Sequence, residues 1–202
     1  MPSVAITGTI GSGKSELLHL LGKGLATFIP TSIFSADDEN RKLLDTDLEV
    51  REAIIQKLGK DCYHPDGKAD RTRLFSMISI DAQALSTLEG IMHPKIESLW
   101  RPKAEKHATS TTSFFIAEIP LLFEKGLESY FSKSIVVGCS DSIRKERMMR
   151  RSLTPEKAEG WMNLQESQQS KVTKSDYMIW NDGSLEALKN QTSLLASSLL
   201  KQ

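Results

Sequence analysis

Aromatic residues make up only 6% of the 202-residue chain. That is thin material for the stacking platforms with which proteins hold single-stranded nucleic acid. Charge of one sign is missing too: Lys+Arg and Asp+Glu number 26 each, so the formal net charge is zero. A domain built mainly to grip nucleic acid is basic overall, so the balance argues against nucleic acid as a principal partner, with a local basic cluster left open. Cysteine is scarce. Cys62 and Cys139 stand far apart in no metal-ligand spacing and read as free thiols in a reducing compartment. No apolar run approaches the roughly 18 residues of a membrane span. The first strand-like run begins near residue 3, which leaves no room for a signal or transit peptide. Together these features predict a cytoplasmic protein with small-molecule partners, no membrane or nucleic-acid partner, and a monomeric or weakly homo-oligomeric state.

What is present is concentrated at the start. An apolar run of strand type, Val4-Ala5-Ile6-Thr7, meets a glycine-rich loop, Gly8 to Ser15. Beyond it, Leu17, Leu18, Leu20, Leu21 and Leu25 recur at helical spacing. Gly8–Ser15 fits G-x-x-x-x-G-K-[ST] in the strand–loop–helix context that a Walker A loop needs. Gly8, Gly11 and Gly13 allow backbone conformations closed to residues with a Cβ, so successive N–H groups can turn inward as an anion nest. A helix starting near Lys14 adds its positive end. Lys14 supplies a mobile charge for β- and γ-phosphates, and the Ser15 hydroxyl can ligate Mg²⁺.

Further strands are predicted at Ser32–Phe34, Phe114–Ala117, Ile135–Val137 and Tyr177–Ile179. Alternation with helices, after an N-terminal phosphate loop, predicts an α/β fold with a parallel doubly wound sheet. Asp38–Leu58 reads as helical in two pieces broken near Asp45–Asp47, and His64–Gly67 as a turn. Asp70–Ile80 and Asp81–His107 read as helices, with a kink or restart at Pro94. Ser140–Ser152 and Thr154 to about Gln169 are also predicted helical, and Ser184 is placed to cap a closing helix to Leu200. The helical stretch of about 40–107 exceeds a simple crossover and reads as an inserted substrate subdomain. The expected core is 1–39, 108–139 and 170–202, with a lid at about 140–169.

Some residues admit two readings each. Asp37, just past the second strand, either orients a hydroxyl acceptor or caps the next helix. Glu118, ending a buried strand, either reaches Mg²⁺ through water or is a plain strand-end acid. Arg147 and Arg151 lie four apart on one helix face, either as a solvated basic surface or as a lid meeting phosphate oxygens. His93 before Pro94 is by default a core or capping histidine. Thr173-Lys174-Ser175-Asp176 is a weak match to a guanine-reading motif. It precedes its strand instead of following one, and no D-x-x-G occurs in the chain.

Taken together, the chain resembles the dephospho-CoA kinase family. The pattern T-G-x-I-G-S-G-K-S appears as Thr7 to Ser15, D-A-D as Ser35-Ala36-Asp37, and D-G-x-x-D-R as Asp66 to Arg71. H-P is His93-Pro94, the acidic-I-P-L-L-F-E piece is Glu118 to Glu124, and I-x-N-x-G is Ile179 to Gly183. Lid arginines match Arg147 and Arg151, and a glutamine followed by basic residues matches Gln165 and Lys171. The resemblance implies a three-layer P-loop fold with a helical CoA subdomain and a short helical lid. It implies transfer from ATP, with Mg²⁺, to the ribose 3′-hydroxyl of dephospho-CoA. On that basis Asp37, Lys14 and Arg147 are catalytic. Gly11, Ser12, Gly13, Lys14, Ser15, Glu16, Arg151 and Asn181 bind ATP, and Asp37, His93 and Leu121 bind the acceptor. Ser15 and, through water, Glu118 serve the metal. The chain departs from the pattern at Ser35, Glu16 and Gln168. Two alternatives are another small-molecule or nucleoside monophosphate P-loop kinase, and a nucleotide switch without an acceptor. The missing D-x-x-G counts against the switch.

Overall fold

The computed structural model describes residues 3–150, 154 and 165–201. The described elements are β1 (Ser3–Gly8), α1 (Lys14–Ala26), β2 (Thr31–Ser35), α2 (Ala36–Thr46), α3 (Leu48–Leu58), α4 (Arg71–Ile78) and α5 (Ala82–His107). They continue as β3 (Phe114–Glu118), β4 (Lys133–Gly138), α6 (Asp141–Met149), α7 (Gln168–Lys174), β5 (Tyr177–Trp180) and α8 (Leu185–Leu200). The expected strands all form.

The five strands pair in the order β2-β3-β1-β4-β5, every pair parallel. A parallel sheet covered on both faces needs strands that are apolar throughout, and β1, β3 and β4 are buried along almost their whole length. One face carries Val4, Ile6, Ile116, Ile135, Val137 and Ile179, which pack with Leu17, Leu21 and Leu25 of α1 and Leu188, Leu195 and Leu199 of α8. Phe115 alternates to the opposite face, against His107 and Phe131; Phe131 in turn stacks on the buried Trp100. Because β1 lies between β3 and β4, the strand order reverses at β1. Its carboxyl end is therefore a topological switch point, where open α/β sheets bind ligands. The glycine-rich loop follows β1 at that point.

The chain divides into two compact units, 1–35 with 100–202 and 36–99. The helical stretch expected over about 40–107 thus meets a unit boundary inside α5, which runs unbroken to His107. The predicted restart at Pro94 does not occur. α5 passes through both Pro94 and Pro102 as one 26-residue helix. Each proline removes a single i→i−4 bond, and its ring faces the carbonyl four residues back, which for Pro94 belongs to Gly90. The rest of a long helix holds it together. The predicted helix over Thr154–Gln169 falls mostly outside the described residues. Within them, residues 165–167 are not helical, and α7 begins at Gln168 with the Ser167 hydroxyl accepting from the Ser170 amide at 3.2 Å. Ser184 does cap α8, accepting from the Ala187 amide at 3.2 Å.

The 36–99 unit has its own core of Leu44, Val50, Ile54, Cys62, Tyr63, Leu74 and Met92. The break between α2 and α3 is a cap: the Asp47 carboxylate accepts from the Val50 amide at 3.0 Å. Lys95 also reaches that carboxylate, at 3.2 Å. The Val50 amide bond, chiefly, holds the Asp47 carboxyl below the ordinary range, against a smaller upward push from burial. The Asp66–Arg71 segment also has local work to do. Gly67 turns the chain at φ 86°, Asp70 caps α4 by accepting from the Arg73 amide at 2.8 Å, and Arg71 pairs with Asp45 at 2.5 Å.

Lys171 is fully buried in the larger unit, with Nζ 2.6 and 2.7 Å from the two Glu124 carboxylate oxygens and 3.2 Å from the Pro120 carbonyl. Removing one partner of such a pair strands the other charge. Lys171→Ala is therefore expected to cost about 3–5 kcal/mol of stability. At roughly 2–4 °C per kcal/mol for a chain of this size, calorimetry should show a melting temperature some 6–20 °C lower. A drop of about 1 °C would mean that the pair is not a structural anchor.

Candidate active site

The loop between β1 and α1 takes its shape from glycine. Gly13 has φ 97°, and a Cβ there would stand 2.2 Å from the Asn181 amide nitrogen. A Cβ on Gly8, at φ 145°, would meet the Val137 carbonyl at 2.4 Å. The loop therefore packs tightly against β4 and against the turn after β5. α1 begins at Lys14, and a helix's first N–H groups have no intrahelical acceptor. The Thr9 and Ser12 hydroxyls are buried and have no hydrogen-bond partner among the described residues. Unsatisfied donors of both kinds fit an anion as ligand. Lys14 is nearly buried and its ammonium donates to the Thr9 carbonyl at 3.2 Å, folded back over the loop.

Ser15 and Glu118 come together here. The Ser15 hydroxyl donates to Glu118 Oε1 at 3.2 Å, and the Ser35 hydroxyl to Oε2 at 3.3 Å. Glu118 is fully buried at the end of β3. One carboxylate beside a hydroxyl suits Mg²⁺, which keeps several waters and relies on substrate phosphates for the rest of its shell.

Arg147 is half-buried and engaged with the loop, so the reading of a plain solvated surface does not hold for it. Its guanidinium donates to the carbonyls of Gly11 at 3.3 Å, Ser12 at 3.2 Å and Asn181 at 2.9 Å. Asn181 itself donates to the Ser12 carbonyl at 2.8 Å. The reason is electrostatic: a tight loop that turns its amides to one side exposes carbonyls on the other, and a planar five-donor cation satisfies several at once. Arg151 lies outside the described residues. Glu16 is exposed in the first turn of α1, Leu121 is half-buried just after β3, and His93 is half-buried on α5. Asp37 is exposed in the first turn of α2, two residues beyond Ser35, which is the register partner of Glu118.

Two contacts of the loop, and one just after β4, are not legible in the sequence. The Gln165 side chain accepts from the Ile10 amide at 2.7 Å, and Arg144, buried beside Asp141, donates to the Ile10 carbonyl at 3.4 Å. Gln168 accepts from the Cys139 amide at 3.0 Å. Gln165 and Gln168 stand out in the family comparison of motifs, but the partners of all three residues cannot be read, because they are far away in the chain. Burial pushes the Cys139 thiol up, against the nearby Arg147 guanidinium, so it stays protonated and is no nucleophile. Asp176 of the guanine-motif lookalike sits at the start of β5, whereas Asn181 follows its end. Its carboxylate binds Lys133 Nζ at 2.8 Å and the Ser134 amide and hydroxyl, both at 2.9 Å. It is a strand clamp at the far end of the sheet from the phosphate loop.

Comparison with known proteins agrees with this geometry. The dephospho-CoA kinase family model matches residues 3–187. The chain is 30% identical to the dephospho-CoA kinase of Chlorobaculum tepidum, over 98% of this chain and 94% of that protein. It is 32% identical to the enzyme of Chlorobium luteolum, over 98% and 90%. The solved dephospho-CoA kinase of Campylobacter jejuni superposes with a TM-score of 0.67 at 25% identity, covering 98% of this chain and 97% of that one. With a phosphate loop at the switch point of a parallel sheet and a family match over nearly its whole length, the chain belongs to the dephospho-CoA kinase family, transferases that phosphorylate dephospho-CoA in the final step of coenzyme A biosynthesis.

Proposed function

We propose that this chain transfers the γ-phosphoryl group of ATP, with Mg²⁺, to the ribose 3′-hydroxyl of dephospho-CoA, giving coenzyme A and ADP. The observation that carries this reading is the Ser15–Glu118 hydrogen bond at the head of the phosphate loop, 3.2 Å long. Ser15 and Glu118 would hold the metal, which when bound neutralises charge on the β- and γ-oxygens. The loop amides and the α1 N-terminus receive the phosphates. Lys14 swings from the Thr9 carbonyl to the transferring group. Asp37 orients the acceptor hydroxyl and takes its proton. Asn181 fixes the loop, and the 36–99 unit, with His93, holds the acceptor. The neutral overall charge supports small molecules as the partners, and the reaction is placed in the cytoplasm. Among the described residues no helix is long and apolar enough to cross a membrane.

The test is ADP release with MgATP and a panel of acceptors. Rapid ADP formation with dephospho-CoA, with a product one phosphoryl group heavier, is expected. Preference for AMP would make it a nucleotide kinase, and little ADP with every acceptor would make it a switch.

Arg147 gives a sharper test of the loop. Its three carbonyl contacts are charge-assisted bonds that shape the loop before any phosphate arrives. Arg147→Ala is expected to raise the KM for ATP about 10–100-fold, roughly the loss of one such bond at about 1.5–3 kcal/mol. A kcat decrease should accompany it if the guanidinium also reaches the transferring group. Lys should rescue poorly, since it lacks the planar fork. Steady-state kinetics with dephospho-CoA saturating separates the two effects, and an unchanged KM would remove Arg147 from loop organisation.

A further inference from the structure

The Glu118 carboxylate is gripped at both oxygens by hydroxyls from two different elements. Oε1 accepts from Ser15 at the start of α1 at 3.2 Å, and Oε2 accepts from Ser35 at the end of β2 at 3.3 Å. The β2–β3 register places Ser35 directly opposite Glu118, so the sheet itself fixes this approach. An ionised carboxylate can only accept, which sets the direction of both bonds. The last torsion of a glutamate is broad and two-fold, so a carboxylate held at one oxygen turns freely, whereas one held at both keeps its plane. A Ser15 hydroxyl that donates to a fixed Oε1 points its lone pairs the other way.

We propose that Ser35 is a positioning residue for the cation of phosphoryl transfer, acting through Glu118 on Ser15; this rests on the assignment of Mg²⁺ to Ser15 and Glu118 under the proposed function. A second consequence follows from the residue type. The residue opposite Glu118 is a serine, so a neutral hydroxyl and not a second carboxylate faces Oε2. A divalent cation offered a single buried carboxylate and a hydroxyl lacks compensating charge until nucleotide phosphates supply it. Ser35 therefore makes cation binding conditional on nucleotide. A carboxylate at the same place would lie about 3 Å from Glu118, a like-charge pair that a divalent cation relieves.

Mn²⁺ is the probe, followed by water-proton relaxation, which separates enzyme-bound from nucleotide-bound metal. The native chain should bind Mn²⁺ with ADP present and not without it. Ser35→Ala should weaken Mn²⁺ in the ADP complex about 10-fold or more, the usual cost of losing an outer-shell partner. It should raise the metal concentration for half-maximal rate by the same factor, with kcat at saturating metal nearly intact. Ser35→Thr, which keeps the hydroxyl, should restore both. Ser35→Asp should bind Mn²⁺ without nucleotide. Native Mn²⁺ affinity in Ser35→Ala, or no nucleotide-independent binding in Ser35→Asp, overturns the proposal. Ser15→Ala separates the two levels. Loss there with no change in Ser35→Ala sinks only the role of Ser35, while no change in either variant sinks the metal assignment as well.

Discussion

Lys14→Ala is expected to lower the rate of phosphoryl transfer by at least about 10³-fold, within the range seen when a cation on the transferring group is removed. The position of the side chain supports the size of the effect. Lys14 is almost fully buried, and its ammonium already lies 3.2 Å from the Thr9 carbonyl within the loop. Desolvation of the charge has therefore been met on folding, and only a short swing separates the resting contact from a bound phosphate. A preorganised charge in a poorly hydrated site stabilises developing negative charge far better than one brought in from water. Alanine removes that charge and leaves the loop glycines, Asn181 and Arg147 in place. The variant should keep a melting temperature near native and still bind ADP, only less tightly. A coupled ADP assay against calorimetry checks both. Near-native kcat in Lys14→Ala would mean that the Gly8–Ser15 loop is not where transfer happens.

The loop was legible because its information is local. Three glycines, a lysine and a serine at fixed offsets, between an apolar run and a leucine stripe, specify strand, nest and helix within two dozen residues. The five strands were legible for a similar reason, since runs such as Phe114–Ala117 are buried on both faces and need no partner to be recognised. What surrounds the loop was not legible. Arg147 reaches the Gly11 carbonyl across 136 positions, and Gln165 reaches the Ile10 amide across 155. Spacing rules cannot see such pairs; a helical arginine face reads as a solvated stripe unless the carbonyls it meets are already known. The turn at His64–Gly67 was legible from its composition, and Gly67 does turn the chain there, while the Asp70 cap and the Arg71–Asp45 ion pair that accompany it in the 36–99 unit were not. The long helix was legible over Asp81–His107, but the alternative of a restart at Pro94 fails, because one missing hydrogen bond is outweighed by the rest of a 26-residue helix.

Asp37→Asn is expected to lower kcat by roughly 10²–10⁴, the span of a positioned acid–base group. The KM for ATP should stay within about two-fold, because a residue that addresses the acceptor hydroxyl gives little to ground-state binding of the donor. Asparagine keeps the size of the side chain and its ability to accept a hydrogen bond at a helix start, so loss of a capping role alone would cost little. It cannot take up a proton, so the substitution separates the two roles that an acid in the first turn of α2 could have. The neighbouring acid supplies the contrast. Asp38 forms an exposed i,i+3 pair with Arg41 at 3.4 Å, both side chains 64% exposed. Such pairs contribute about 0–1 kcal/mol, so Asp38→Asn should leave both rate and stability nearly unchanged. Single-turnover measurements with both substrates saturating read the chemical step directly. A native rate in Asp37→Asn together with a large loss in Asp38→Asn would move the proton acceptor one residue along, and native rates in both would take general-base catalysis away from this helix altogether.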